Sequence, residues 1–241
     1  MSTQEKNPTR HAGLLLSGAI FLGGAIWMYT AAAASKGGVA IPAAAQTASQ
    51  TPIDGTRTAV LAGGCFWGME SVFEHVDGVT DVVSGYAGGT EEHANYRDSS
   101  SGRYDDAEAV RISYDPEQIS YADLLQIYFS VAHDPTQVNR QGPDRGPQYR
   151  SEIFAANPAQ AEVANAYIEQ LTQADVFSRP IATKVSVGEH FFPAESYHQN
   201  YADLHPNSMY IRINDAPKVE ALKSRFGQRY RERPANLAAN G

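Results

Sequence analysis

Thr58-Ala59-Val60-Leu61-Ala62 runs straight into Gly63-Gly64-Cys65-Phe66-Trp67-Gly68-Met69-Glu70, and the reading of this junction sets the reading of the chain. The first five residues are strand-like, the glycine pair lets the backbone bend, and a helix is expected to start at the cysteine, with Val72 and Phe73 packing inward. Cys65 is the only cysteine in 241 residues. A thiol at a helix start meets unpaired backbone N–H groups and the positive end of the helix dipole, so its thiolate is expected to be stabilised and its pKa lowered. A lone thiol is more often a packed core residue. Here glycines clear the backbone and two aromatic residues wall the sulfur, as a thiol that meets a ligand requires, and Cys65 reads as a nucleophile.

Composition bounds the rest. A hydrophobic content of 42% and a charged content of 19% describe a chain able to bury a core, and one cysteine excludes an intrachain disulfide framework. Residues 1–35 read as an export signal or membrane anchor: Lys6 and Arg10 precede a run from Ala12 to Ala34 without a charge. The run exceeds the apolar core of a cleaved signal and reaches the roughly 20 residues that span a bilayer, which favours a retained anchor. Ala43-Ala44-Ala45 nevertheless fits a small-residue cleavage site. Either outcome exports the domain, and the basic residues before the run put the amino terminus in the cytoplasm and the remainder in a periplasm or at an exterior face. Residues 36–55 read as a flexible linker, 56–230 as one catalytic domain and 231–241 as a frayed tail. Past residue 50 the chain holds 16 basic and 26 acidic residues, a charge of about −10, so no cationic surface for nucleic acid is evident.

Past the linker, strands and helices interleave without repeats. Val79–Tyr86 is a strand ending at Ala87-Gly88-Gly89, Ala107–Tyr114 is another, Ser120 caps a helix, and Asn157-Pro158 opens one bearing Ala161, Ala164, Ile168 and Leu171. Ile181–Val187 and Tyr210–Ile213 read as strands, and Asp215-Ala216-Pro217 opens a last helix. Two stretches, 84–104 and 133–149, are rich in turn residues and longer than ordinary connections, which marks them as functional loops. Tyr96 and Tyr149 lie in them.

Together Gly64-Cys65-Phe66-Trp67-Gly68, Gly85-Tyr86-Ala87-Gly88-Gly89, Ala107-Glu108-Ala109-Val110, Tyr114-Asp115-Pro116, His133-Asp134-Pro135, Asp144-Arg145-Gly146-Pro147-Gln148-Tyr149-Arg150-Ser151 and Ala194-Glu195-Ser196-Tyr197-His198-Gln199-Asn200-Tyr201 resemble peptide methionine sulfoxide reductase A over residues 56–215. The resemblance implies an α/β (α+β) two-layer domain, a mixed sheet with a ferredoxin-like split βαβ core and long decorating loops. It implies thiolate attack on the S epimer of methionine sulfoxide, free or protein-bound, leaving methionine and a cysteine sulfenic acid. It assigns Cys65 as nucleophile and Glu108 as the acid that protonates the departing oxygen, although a glutamate in an alternating strand is more often solvated. Tyr96 and Tyr149 match the hydroxyls that bind that oxygen, Phe66 and Trp67 the walls that hold the methyl group, and Asp144, His198 and Tyr201 further residues lining the site. No bound cofactor is implied, and the spacing of His190, His198 and His205 fits no helical zinc motif, so no metal is expected. Residues 202–241 lack the further cysteines that many relatives carry, so recycling requires an external thiol, a thioredoxin-like protein or a small one. Asp105-Asp106 stands where the family often has Gly-His.

Two other readings compete. His198 and Asn200 follow Cys65 by about 130 residues, as in papain-like hydrolases, although the local cysteine signature differs. An exported binding or redox-sensing module with a passive Cys65 is the non-enzymatic rival.

Overall fold

Gly63 ends strand β1 (Arg57–Gly63) and Phe66 begins helix α1 (Phe66–Glu74), with Cys65 at the N-cap between them. The computed structural model describes residues 38–45 and 57–238. The expected leader at 1–35 and most of the expected linker lie outside these residues, and among the described residues no helix is long and apolar enough to cross a membrane. After α1 come β2 (Val79–Ala87), α2 (Tyr96–Ser100), β3 (Ala107–Tyr114), α3 (Tyr121–Ile127), the small hairpin β4 (Arg140–Gln141) and β5 (Asp144–Arg145), and β6 (Ser151–Ala155). The chain continues through α4 (Pro158–Gln173), β7 (Lys184–Val187), β8 (Phe191–Pro193), α5 (Tyr201–Leu204), α6 (Ala216–Arg225) and α7 (Ala235–Ala238).

Six strands form one sheet in the order β7-β6-β1-β3-β2-β8. β3 lies antiparallel between β1 and β2, and β1 antiparallel between β3 and β6. Each βαβ unit is thus split by an inserted strand, which is the ferredoxin-like core that the resemblance implies. β7 joins β6 in parallel and β8 joins β2 antiparallel, making the sheet mixed. Strand alternation sorts the two faces. Leu61, Val110, Ile112 and Val82 pack with Met69, Val72 and Phe73 of α1 and Leu124 of α3, whereas Ala62, Ala87, Ala107, Ala109 and Phe154 form a smaller cluster on the opposite face. The helices are set by the caps read in the sequence: Ser120 and Asp123 form a capping box on α3, and the Asn157 side chain accepts from Gln160 N–H at the start of α4.

Three expectations are corrected. Tyr210–Ile213 is no strand; residues 211–215 form a π-helical turn that leads into α6, because the sheet edges are already taken by β7 and β8. Residues 38–45 do not behave as a free linker: Ser130 O accepts from Val39 N–H at 2.8 Å, and Pro42 O and Ala43 O accept from the Tyr167 hydroxyl and the Gln170 amide. Side-chain donors of α4 thus satisfy a strap that has no backbone partner strand. Nor are residues 231–238 frayed. Arg231 donates to Glu74 O and Val79 O, Asn236 donates to Val82 O and accepts from Val82 N–H, and Ala235 is buried. The part of β2 beyond β8 would otherwise leave a bare edge, and Asn236 pairs with it.

Asn236→Ala is therefore expected to lower stability by about 1–3 kcal/mol in urea unfolding, since it leaves the Val82 backbone groups without that partner. A change within error would return the segment to the status of a passive tail.

Candidate active site

The site is built at the junction of β1, α1 and β3. Gly64 takes a left-handed conformation (φ +95°) that only glycine adopts without strain, and this bend brings Cys65 to the head of α1. On β3, Glu108 stands between Ala107 and Ala109, so alternation turns its side chain to the helical face of the sheet. There its Oε2 accepts from Phe66 N–H at 3.0 Å. A carboxyl from the sheet thereby satisfies one of the open N–H groups of the helix start and is fixed beside the cysteine.

Burial decides the proton inventory. Glu108 is 3% exposed, and burial raises its pKa to about 8 against the Phe66 N–H bond that lowers it. It is protonated at neutral pH. Cys65 does not show the lowered pKa expected of a thiol at a helix start. It is pushed well above its ordinary value, first by burial and then by the carboxylates of Glu108 and Asp215; the Trp67 N–H and the Lys218 ammonium pull the other way and are outweighed. A buried thiolate loses more solvation than one helix terminus returns. Because Glu108 carries its proton below about pH 8, its repulsion of the thiolate is absent there.

Aromatic rings form a cage at the head of α1, next to Cys65. Trp67, in the first turn of α1, stacks on Tyr201 of α5 (3.9 Å between centroids, 15°) and donates its indole N–H to His198 Nδ1 at 3.2 Å. The His198 ring lies 5.0 Å from Phe66 and 4.9 Å from Tyr96. His198 is buried, its pKa lowered by that burial, and with Nδ1 accepting from Trp67 it is not placed as a base for Cys65, so the hydrolase reading finds no support. Tyr96 opens α2 at 42% exposure, its backbone N–H held by Glu195 Oε1 at 3.0 Å. Tyr149 is half-buried, and burial with the charges of Glu108 and Asp144 raises its phenol further, so both phenols are hydrogen-bond donors at neutral pH. Asp144 in β5 accepts from the Tyr210 hydroxyl at 2.5 Å. All nine residues named from the sequence converge on this one region.

Four further residues belong to it. The ring of Tyr210 meets Trp67 edge-on at 6.1 Å. Asp215, buried and paired with Lys218 at 3.1 Å, lies over the first turn of α1 so closely that a Cβ on Gly68 would overlap its carboxylate. Glu195 holds the Tyr96 backbone and accepts from the Tyr86 hydroxyl at 3.1 Å. Only Glu195 falls within a motif legible in the sequence; Tyr210, Asp215 and Lys218 lie in the stretch read as a strand and a helix start.

Comparison with known proteins finds relatives over most of this domain. The family described as Peptide methionine sulfoxide reductase matches residues 57–230. The chain is 52% identical over 180 residues to Peptide methionine sulfoxide reductase MsrA 2 of Mesorhizobium japonicum, covering 75% of this chain and 92% of that one. It is 46% identical over 175 residues to the MsrA protein of Halobacterium salinarum, covering 73% and 98%. Among solved structures, Mxr1 from Saccharomyces cerevisiae in reduced form superimposes with a TM-score of 0.60 at 34% identity, covering 66% of this chain and 91% of that chain. Methionine sulfoxide reductase A of Corynebacterium diphtheriae does so with 0.55 at 35%, covering 63% and 76%.

The raised Glu108 sets a pH dependence of stability. An unfolded glutamate titrates near its ordinary 4.5 and Glu108 near 8, so between these values the folded chain keeps a proton that the unfolded chain has lost. The contribution to stability is fully present below about pH 4 and falls away as the pH rises through about 8. Glu70, raised by burial to about 8, acts in the same direction. Glu108→Gln should accordingly exceed the native chain in stability at about pH 9 by a few kcal/mol, and the advantage should vanish near about pH 4. Equal urea midpoints at the higher pH would contradict the burial of an ionised Glu108.

Proposed function

The chain belongs to the peptide methionine sulfoxide reductase family, and on that premise we propose the route by which its residues reduce the sulfoxide. It is a peptide-methionine (S)-S-oxide reductase. The observation that carries the route is the buried Glu108 carboxyl bonded to Phe66 N–H at the head of α1, beside Cys65.

The methyl group of the sulfoxide rests on Phe66 and Trp67, whose faces suit methyl and thioether groups. Its oxygen accepts from Glu108, Tyr96 and Tyr149. These donors strengthen as charge grows on oxygen during attack. The Cys65 sulfur attacks the sulfoxide sulfur as Glu108 protonates the oxygen, which offsets the cost of forming a thiolate in a buried site. The products are methionine and Cys65 sulfenic acid: the sulfoxide gains two electrons and loses its oxygen to the cysteine, which is oxidised by the same two. Two external thiol groups then return Cys65 to the thiol, leaving water and a disulfide, since the chain holds no second cysteine. Oxidised proteins and free methionine sulfoxide are the substrates. No bound cofactor enters the route, which draws its electrons from a thioredoxin-like protein or a small thiol. The uncharged run at 12–34 behind Lys6 and Arg10 supports an exported domain that acts outside the cytoplasm, anchored to the membrane if the leader is retained.

Turnover of each epimer of an acetylated methionine sulfoxide with dithiothreitol tests the route. Activity on the S epimer is expected, with none in Cys65→Ser and a kcat for Glu108→Gln lower by roughly 10²–10⁴-fold. For the native chain, kcat should fall as the pH rises through about 8, where Glu108 loses its proton. A full rate in Glu108→Gln would remove the proton donor from the mechanism. In a single turnover without thiol, a sulfenic-acid trap should label Cys65 and no intrachain disulfide should form.

A further inference from the structure

Helix α1 carries the nucleophile at its head and, in its middle, a carboxyl that the route above does not use. Glu70 is 1% exposed, and a carboxyl in such a place costs stability that an apolar side chain of similar size does not. Its Oε2 accepts from Asn200 N–H at 2.9 Å. Asn200 is left-handed (φ +55°) and turns the chain from the 3-10 turn at Ser196–His198 into α5. With four residues α5 is too short for its own hydrogen bonds to hold it, so its position is set by contacts with other elements.

Those contacts converge on the residues around Asn200. The Gln199 amide accepts from Ser84 N–H at 2.9 Å and donates to Ser84 O at 3.0 Å, which ties the segment to β2, and Asn236 donates to Asn200 Oδ1 at 3.1 Å. Asp203 lies 3.4 Å from both Ser71 and His75 of α1. The bond to Glu70 is the one next to the stacked ring. Residues three apart on a helix share a face, so Glu70 stands one turn after Trp67. Asn200 and Tyr201, adjacent in the chain, are therefore attached to adjacent turns of α1, one by a backbone hydrogen bond and the other by a stack of 3.9 Å on Trp67. The indole N–H of Trp67 is held by His198 of the same segment. Both partners that orient Trp67 thus move with Asn200.

We propose that Glu70 is a positioning residue for the reductase: by holding Asn200 N–H it fixes Tyr201 and His198 against Trp67 and so sets the wall that selects a methyl group on the sulfoxide sulfur. The inference rests on the reading that Phe66 and Trp67 hold that methyl group. Glu70 acts through Asn200 and Tyr201 and moves no proton in the reaction. A side chain that orients substrate needs such support, because a loosely held wall binds the wrong group nearly as well as the right one.

The test compares kcat/KM, with dithiothreitol as reductant, for the S epimers of N-acetylmethionine sulfoxide and N-acetylethionine sulfoxide, which differ by one methylene at the group the wall selects. Glu70→Leu and Glu70→Met fill the space and leave Asn200 N–H without its acceptor, whereas Glu70→Gln keeps an acceptor of the same reach. In the two apolar variants the preference for methyl over ethyl should fall roughly five- to tenfold, through a higher KM for the methyl substrate with kcat within about twofold of native, and Glu70→Gln should restore it. A smaller folded fraction does not change this ratio, so a merely structural role for Glu70 would leave it at the native value. In a Trp27→Phe background Trp67 is the only indole, and its near-UV circular dichroism should weaken in the apolar variants and persist in Glu70→Gln. In the native chain the Asn200 amide should be protected from hydrogen exchange by NMR, a measurement that decides even if neither apolar variant folds. A native methyl-to-ethyl ratio in both apolar variants, or an Asn200 amide that exchanges as an exposed one does, overturns the role of Glu70 and leaves the reductase route standing. An unchanged ratio in Trp67→Phe would instead overturn the methyl wall, and the proposal with it.

Discussion

The hydrogen bond from Phe66 N–H to Glu108 Oε2 is the contact on which the rest of the site depends. It joins the first open donor of α1 to the middle strand of the sheet, so helix and sheet cannot shift without separating the cysteine from its acid. It does not hold the proton, since by itself it lowers the carboxyl's pKa. Burial holds Glu108 protonated to about pH 8, and a carboxyl that keeps its proton in neutral solution is the kind of group that can release an oxygen. The cost is a buried polar group on a strand, offset by a bond that the helix terminus needs in any case.

The same burial makes Cys65 a poor thiolate at rest. Asp215 adds to the effect from above, and Lys218 only partly compensates. A nucleophile of this kind gains its reactivity from the substrate complex, where the phenols, Glu108 and the desolvated sulfoxide act together, and not from a standing population of anion. A thiol that stays neutral until substrate arrives is also slow to meet stray oxidants.

Buried carboxyls recur behind α1. Glu70 accepts from Asn200 N–H at 2.9 Å and Glu74 lies against Asp203, and burial raises the two to about 8 and about 10. Asn200 precedes α5, whose Tyr201 stacks on Trp67, so Glu70 braces the far wall of the cage from within the helix that carries the nucleophile. The strap at 38–45 and the segment from Tyr230 to Ala238 close over other parts of the domain, with Tyr230 bridged to Val76 at the end of α1.

Local chemistry was enough to place the strand, the glycine bend and the helix start around Cys65, the caps at Ser120 and Asn157, and the two long loops that carry Tyr96 and Tyr149, because each depends on residues adjacent in the chain. The resemblance to a known family added Glu108, Asp144, His198 and Tyr201, since spacing alone cannot tell a catalytic glutamate in an alternating strand from a solvated one. What only the tertiary structure decided are quantities that depend on distant groups meeting: the neutral state of Cys65, set by burial and Asp215; the contacts of Tyr210 with Asp144 and Trp67; and the docking of residues 38–45 and 231–238. A hydrogen-bond donor on α4 or an open edge on β2 leaves no mark in the segments that come to satisfy it, because pairing between remote backbone groups is specified by where the sheet ends and not by the local sequence.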